Sequence, residues 1–376
     1  MKKDAQITQT TLEIDLSALA QNYGYIRSKI KPQTKLMAVV KANSYGSDSV
    51  AVSQKLQTLG VDYFAVAYAE EGILLRNNGI EKPILVLHPL AGNFEKIISH
   101  ELEPNLYSLN LLKKFIVYTE ENQLQQYPVH IKINTGMNRV GFHPDDIEEL
   151  AERLNQTSAV RVVSVFSHLA ASEDIAQRDF ALKQIERYNQ AANFLEKKLS
   201  HPFLKHTLNT SGILNFPEAQ FDMVRSGIGL YGYGNHPEED KNLRPIGTLK
   251  TVISQIHHIK KGESVGYNRG YIAEKPTKTA TLPLGHADGI NRIYGKGKGI
   301  VYIHGKPAPI IGNVCMDMIM VDISHIECAE GDEVVIFGKE NSAEDFAHNA
   351  GTISYELITS ISQRIERKIL NENDPT

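Results

Sequence analysis

Between residues 11 and 243 the chain repeats one alternation eight times: a short apolar or β-branched run, then a longer amphipathic segment. The runs KLMAVV (35–40), YFAVA (63–67), ILVLH (84–88), PNLYS (104–108), VHIKIN (129–134), VRVVSVFS (160–167), HTLN (206–209) and DMVR (222–225) read as strands. The seventh is short and polar. The segments between them read as helices. Leu16, Leu19, Tyr23 and Ile26 share a stripe over residues 15–30, and Ile175, Leu182, Ile185 and Leu195 are spaced for a buried face over 173–199. Eight strand–helix units in one block predict a closed parallel (β/α)8 barrel, with an open doubly wound α/β sheet as the alternative.

Near residue 244 the pattern changes. RPIGTLKTVISQIHHIK, KTATLPLG, GIVYIHGKPAPIIG, MIMVDIS and DEVVIFG are strand-like and separated by the turn signals KKGE, GKGKG and EGDE. A terminal helix is expected over TISYELITSISQRIERKI, where Ile353, Leu357, Ile361 and Ile365 recur every four residues and Thr352 is the N-cap candidate. The predicted division is an N-terminal extension (1–10), an α/β barrel (11–243) and a mostly β C-terminal domain with a terminal helix (244–376).

Composition narrows the function classes. A net charge of −4 over 376 residues lacks the concentrated basic face that nucleic acid binding needs. Cys315 and Cys328 make neither a metal-type pair nor a disulfide framework. No apolar stretch approaches the roughly 18 residues of a membrane span, and MKKDAQITQT lacks the apolar core of a secretory signal. The expectation is a cytoplasmic enzyme or binding protein without a metal.

The polar residues that follow the strands carry the chemistry. Lys41 follows the first, Arg139 lies in the Gly-rich turn after the fifth, and His168 ends the sixth. Asn209, Thr210 and Ser211 end the seventh, and Arg225, Ser226 and Gly227 end the eighth. In a barrel these share the C-terminal face, where such folds place active sites. Hydroxyls and backbone N–H groups after strands seven and eight suit a phosphate. A lysine at the end of an apolar strand loses proton affinity by desolvation and becomes a nucleophile. Lysine opposite a phosphate site suggests a phosphorylated aldehyde cofactor, of which pyridoxal phosphate is the common one. Taken singly, each residue has a plainer reading: Lys41 as a solvated strand end, His168 as a packing residue, Arg139 and Arg225 as surface ion pairs, Tyr355 as a helix-surface residue. Their convergence on one face favours the functional reading.

The strings that carry these residues resemble the alanine racemases over nearly the whole chain. AVVKANSYG is similar to that family's cofactor-lysine motif, IKINTGMNRVGF to its central motif, FSHLAASED to its histidine segment and FDMVRSGIGLYG to its pyridine-binding segment. ESVGYNRGY, LPLGHADG, VCMDMIMVD and TISYELITSIS follow in the family's order and spacing. The resemblance implies a pyridoxal-phosphate isomerase that interconverts L- and D-alanine and supplies D-alanine for peptidoglycan. It implies Lys41 and Tyr267 as opposed bases, with Arg139, Met316 and Asp317 at the substrate. It implies Tyr45, His168, Thr210, Ser211, Arg225, Gly227, Ile228 and Tyr355 around the cofactor, and Lys132 at a position that many members carbamylate. It also implies a homodimer in which Tyr267 and Met316 reach the partner's barrel.

Three positions depart from the family pattern. His286 in LPLGHADG stands where tyrosine is usual, YGSDS replaces YGHG, and LNTSGI varies ANSA. A broader-specificity or serine racemase is the nearest competing reading. Further away are a non-catalytic cofactor-binding barrel, which usually lacks the second domain, and an amino-acid decarboxylase, which pairs the ring nitrogen with a carboxylate rather than Arg225 and would call on Cys315. A barrel enzyme of sugar or phosphate chemistry is the remotest.

Overall fold

The computed structural model describes residues 9–234, 237–339 and 341–370. These fall into two compact units. One comprises Leu19–Ser44 and Ser49–Arg244; the other takes the described residues up to Ala18, Tyr45–Asp48 and those from Pro245 onward.

The first strand, β1 (Thr11–Asp15), belongs to the second unit. The first unit holds β2 (Lys35–Val39), β3 (Tyr63–Val66), β4 (Ile84–Val86), β5 (Glu103–Leu106), β6 (Tyr127–Lys132), β7 (Val160–Phe166), β8 (Leu204–His206) and β9 (Met223–Ser226). Neighbours in this sheet pair in parallel in the order β8-β7-β6-β5-β4-β3-β2-β9. The gap between β8 and β9 is bridged by Asp222 N donating to Lys205 O (3.1 Å) and Arg225 N to Leu208 O (3.0 Å). The sheet therefore closes on itself, and the open doubly wound alternative is excluded. Strand β8 lies two residues earlier than the polar run HTLN suggests. Asn209 instead caps the short helix Thr210–Asn215, its side chain accepting from Gly212 N at 2.9 Å.

The long helix is Arg178–Lys198. Its buried stripe is Ala181, Gln184, Ile185, Tyr188, Ala191, Ala192 and Leu195. Ile185 and Leu195 match the expected face, but Ile175 and Leu182 are exposed. Ile175 precedes the helix in a 3-10 turn, and Leu182 falls one residue off the stripe, about 100° around the axis.

In the second unit one sheet has the order β11-β14-β17-β16-β15-β18-β10-β1-β19. Its strands are β10 (Gly247–Val252), β11 (Gln255–Ile259), β14 (Thr277–Leu282), β15 (Ile300–Ile303), β16 (Lys306–Ile311), β17 (Ile319–Asp322), β18 (Glu333–Phe337) and β19 (Glu366–Leu370); β12 (Ser264–Val265) and β13 (Tyr271–Ile272) pair separately. A two-residue turn, His304-Gly305, joins β15 to β16 with both φ positive (50° and 72°), as the right-handed twist of a tight hairpin requires. Residues 11–15, expected at the start of the barrel, lie in this sheet between β10 and β19. Of the expected extension (1–10), residues 1–8 lie outside the described residues.

The terminal helix is shorter than its spacing suggests. It runs Ser354–Ser360, with Ile353 rather than Thr352 as N-cap, and residues 366–370 form β19. The Thr352 hydroxyl donates to Glu356 instead. Arg367 explains the stop: its guanidinium donates to the carbonyls of Ile361, Ser362 and Ile365, which a continuing helix would use internally. Residues 366–370 then pair in parallel with β1.

Candidate active site

Lys41 sits just past the end of β2, and the backbone that follows is unusual. Ala42, Asn43, Ser44 and Tyr45 all have φ between 51° and 55°, and Gly46 has φ 83°. For residues other than glycine this left-handed turn costs about 1–2 kcal/mol per residue, so it persists only where surroundings impose it. Glu71 imposes part of it, accepting from Ala42 N (2.6 Å) through one carboxylate oxygen and from Ala67 N (2.6 Å) through the other. At Gly46 a Cβ would lie 1.9 Å from Ile358 O, so this position tolerates no side chain. The result is a Lys41 held at the barrel mouth on a fixed stem.

Four more of the expected residues gather around it. Burial lowers the proton affinity of the Lys41 amine, Arg139 lowers it further, and Glu71 partly offsets both. Lys132 ends β6 in a buried setting; burial first, then Arg139, Arg225 and Lys41, bring its pKa down to about 7. His168 is pushed well below the usual histidine value by burial and then by Arg225, so its ring is neutral. Arg139 is exposed, in a loop shaped by Asn134, whose side-chain oxygen accepts from Gly136 N (3.1 Å) and Asn138 N (3.0 Å).

Arg225, in β9, is buried, and burial lowers its pKa to about 10, which leaves it charged at neutral pH. It donates to His206 Nδ1 (2.6 Å), Ser167 O (2.8 Å), Thr207 O (3.0 Å) and His168 Nδ1 (3.2 Å). All four bonds use its two terminal nitrogens, leaving Nε–H without an acceptor among the described residues. A concentration of cations at one face suits anionic groups such as a phosphate or a carboxylate.

After β8 and β9, the Thr210 hydroxyl accepts from Gly227 N and Gly229 N (both 3.3 Å) and hydrogen-bonds Ser226 Oγ (3.2 Å). Ser211 and Ile228 are buried beside them in sequence. A Cβ at residue 229 would lie 2.6 Å from Thr210 Cγ2 and 3.1 Å from Ile26 Cδ1. Gly229→Ala is therefore expected to lower stability by about 1–3 kcal/mol by displacing Thr210, measurable as a reduced urea midpoint at unchanged m-value. An unchanged midpoint would mean that the turn has slack the geometry does not show.

The second unit carries the remaining candidates. Tyr45 and Tyr355 pack with ring centroids 6.0 Å apart; burial and then Tyr355 raise the Tyr45 pKa. Tyr267 is 73% exposed, in a turn where Gly266, Asn268 and Arg269 all have positive φ. Asn313 Nδ2 anchors that turn by donating to Tyr267 O (2.9 Å). Met316 is also exposed, its carbonyl accepting from Ala287 N (3.0 Å), while His286 N donates to Cys315 O (2.9 Å). Asp317 is paired with Arg364 (2.6 Å), which also forks onto Asp288 (2.6 and 2.9 Å). His286 is exposed and lines a small cavity of about 160 Å³ with Asn291, Tyr294 and Glu356.

The structure thus brings Lys41, Lys132, Arg139, His168 and Arg225 into mutual electrostatic reach and joins Thr210 to Gly227. Sequence reading missed Glu71, His206 and Arg364. The polarity of HTLN was the one available signal for His206. Glu71 and Arg364 act through partners distant in sequence.

Comparison with known proteins gives a consistent picture. Residues 14–235 match the family model described as alanine racemase, N-terminal domain, and residues 246–369 that of the C-terminal domain. An alanine racemase of Caldanaerobacter subterraneus subsp. tengcongensis is 36% identical, over 96% of this chain and 95% of its own. One of Methanococcus maripaludis is 34% identical over 96% and 98%. Among solved structures, the alanine racemase of Streptomyces lavendulae superposes with a TM-score of 0.92 at 30% identity, covering 97% of this chain and 98% of its own. That of Bartonella henselae, with covalently bound pyridoxal phosphate, gives 0.88 at 27% identity, covering 97% and 100%.

Proposed function

The chain belongs to the alanine racemase family, and from that premise we propose that Lys41 and Tyr267 are the two bases with which it interconverts L- and D-alanine on pyridoxal phosphate. The observation that carries this reading is Lys41: a half-buried amine of lowered proton affinity, fixed at the mouth of a closed barrel and facing a cluster of cations.

The residues present fit the cofactor. Lys41 offers the amine for its aldehyde carbon. The unused Nε–H of Arg225 can donate to the ring nitrogen, and neutral His168 can lie against the ring without adding charge. Thr210, Ser211, Gly227 and Ile228 supply hydroxyl and N–H groups for the phosphate, and the resemblance adds the hydroxyls of Tyr45 and Tyr355. When bound, the cofactor supplies an electron-withdrawing ring that acidifies the Cα–H of the amino acid joined to it.

Racemisation requires a proton to leave one side of Cα and return from the other, which calls for two opposed groups. Lys41 holds or releases it at Nζ, and Tyr267, contributed by a second copy of the chain, does so at its phenolic oxygen. Arg139 orients the substrate carboxylate. A neutral amine is the form that attacks CO2, so a Lys132 pKa of about 7 favours carbamylation, which releases a proton and places an anion near Arg139. Met316 and Asp317 line the substrate end, where Arg364 pairs with Asp317 and holds its carboxylate beside Asp288. The exposure of Tyr267, Ile272, Met316 and Met318 in the second unit supports a homodimer that covers them.

No helix among the described residues is long and apolar enough to cross a membrane. We place the enzyme in the cytoplasm, where its D-alanine enters peptidoglycan. A broader-specificity or serine racemase is favoured by one observation, His286 at the usual tyrosine position. A panel of L-amino acids assayed for D-product separates the two readings.

The test has two parts. Borohydride reduction of the purified protein should leave an adduct that peptide mapping places on Lys41, and its absence sinks the cofactor assignment. Tyr267→Phe should keep the adduct but lower racemisation at least about 100-fold; undiminished turnover would remove Tyr267 from the mechanism.

A further inference from the structure

The barrel interior contains a polar chain that the two-base scheme does not use. Glu103 Oε2 lies 2.7 Å from His130 Nε2, and His130 Nδ1 lies 2.5 Å from Ser164 Oγ. Ser164 Oγ lies 3.0 Å from His206 Nε2, and His206 Nδ1 lies 2.6 Å from Arg225 Nη1. The residues come one each from β5, β6, β7, β8 and β9, all buried, with His130 and Ser164 directly paired in register. Interiors of such barrels are normally filled by branched apolar side chains. A buried polar row is expensive unless every member is satisfied.

Donor and acceptor chemistry permits one complete arrangement. Guanidinium only donates, so His206 Nδ1 must present its lone pair to Arg225. Burial and the adjacent guanidinium drive the His206 pKa well down, so the ring is neutral and its proton is on Nε2. That N–H donates to Ser164 Oγ. The serine hydroxyl then donates to His130 Nδ1, and His130 donates from Nε2 to the Glu103 carboxylate, which as an anion only accepts. Both ends dictate the same direction. A positive charge at one end of the chain is balanced by a negative one at the other, and the His206 ring is further held by stacking on Phe166 (4.9 Å, 4°).

We propose that Glu103, His130, Ser164 and His206 are positioning residues for Arg225: by keeping His206 Nδ1 an acceptor, they fix the guanidinium so that Nε–H remains the donor left for the cofactor ring. The proposal rests on the cofactor reading above. No proton moves along the chain; its function is to allow a single orientation. A guanidinium keeps its proton, so a ring nitrogen paired with it would stay unprotonated and withdraw electrons less strongly; losing a link frees the guanidinium to turn, which would weaken that pairing and so admit side reactions.

The test combines histidine 15N NMR with product partition. In the wild-type protein, His206 and His130 should both be Nε2–H tautomers; protonation of His206 at Nδ1 overturns the proposal without any variant. Ser164→Ala breaks the chain at its centre. It should raise transamination relative to racemisation by roughly 10-fold, the scale of supporting-residue effects, with KM for alanine within about twofold. Glu103→Gln keeps an acceptor oxygen but loses the charge and should fall between wild type and Ser164→Ala. An unchanged partition in a folded variant whose histidine spectra have changed reduces the chain to barrel packing and overturns the proposal. Absence of a Lys41 adduct in the wild type would sink the cofactor reading instead, leaving the tautomer result as it stands.

Discussion

Replacing Lys41 with alanine is expected to lower racemisation at least about 10³-fold in both directions, because one side chain carries two duties. Lys41 is the only lysine on the left-handed stem that Glu71 pins to the barrel. Its amine is released from protonation by burial, then by Arg139, against a smaller opposing effect of Glu71. Lys132 is nearby and more strongly shifted, but it lies at the end of β6, where it cannot inherit that stem. The variant should therefore show no borohydride adduct at residue 132 either. Folding should be nearly intact, since the stem is held by backbone contacts to Glu71. Activity within about tenfold of wild type would end both assigned roles.

The second large effect is at Arg225. Arg225→Glu places an acceptor where Ser167 O, Thr207 O and His206 Nδ1 all await a donor. Breaking such a buried charged network costs about 3–5 kcal/mol. Against a typical total of about 5–15 kcal/mol, that is a large share of the fold's stability. Denaturant unfolding should show this loss directly. In the molecules that remain folded, a carboxylic acid can share its proton with the ring nitrogen, which a guanidinium does not. The ring then withdraws electrons more strongly, and transamination should rise relative to racemisation. Arg225→Lys keeps a charge but loses the fork, so it should lose stability without the same rise. A variant with wild-type stability and unchanged partition would refute this account of both the fold and the selectivity.

The structure alters what an Arg225 substitution means. From the sequence, Arg225 is expected only as a residue at the cofactor, where the related decarboxylases place a carboxylate. In the fold it is also a hub that satisfies two carbonyls and two histidines, so chemistry and stability change together. Asp317 changes in a similar way. Its motif places it at the substrate end, and the structure adds Arg364, which bridges it to Asp288. Neither residue is near it in sequence.

What the sequence determined follows from local physics. Alternating apolar runs and amphipathic stripes specify strands and helices residue by residue, and eight such units leave few ways to bury both faces of the strands. The residue types after each strand, Lys41 through Gly227, could be read without knowing how the strands close. Ordered motifs identified the family. Only the tertiary structure decided where local preference yields to partners far along the chain. Residues 11–15 join β10 and β19, and the four-residue spacing of Ile361 and Ile365 gives way because Arg367 takes the carbonyls and β1 offers a parallel edge. Glu103, His130, Ser164 and His206 are likewise unremarkable polar residues until barrel curvature lines them up with Arg225 across neighbouring strands. Spacing along a chain encodes which face a residue takes; it does not encode which distant residue will face it.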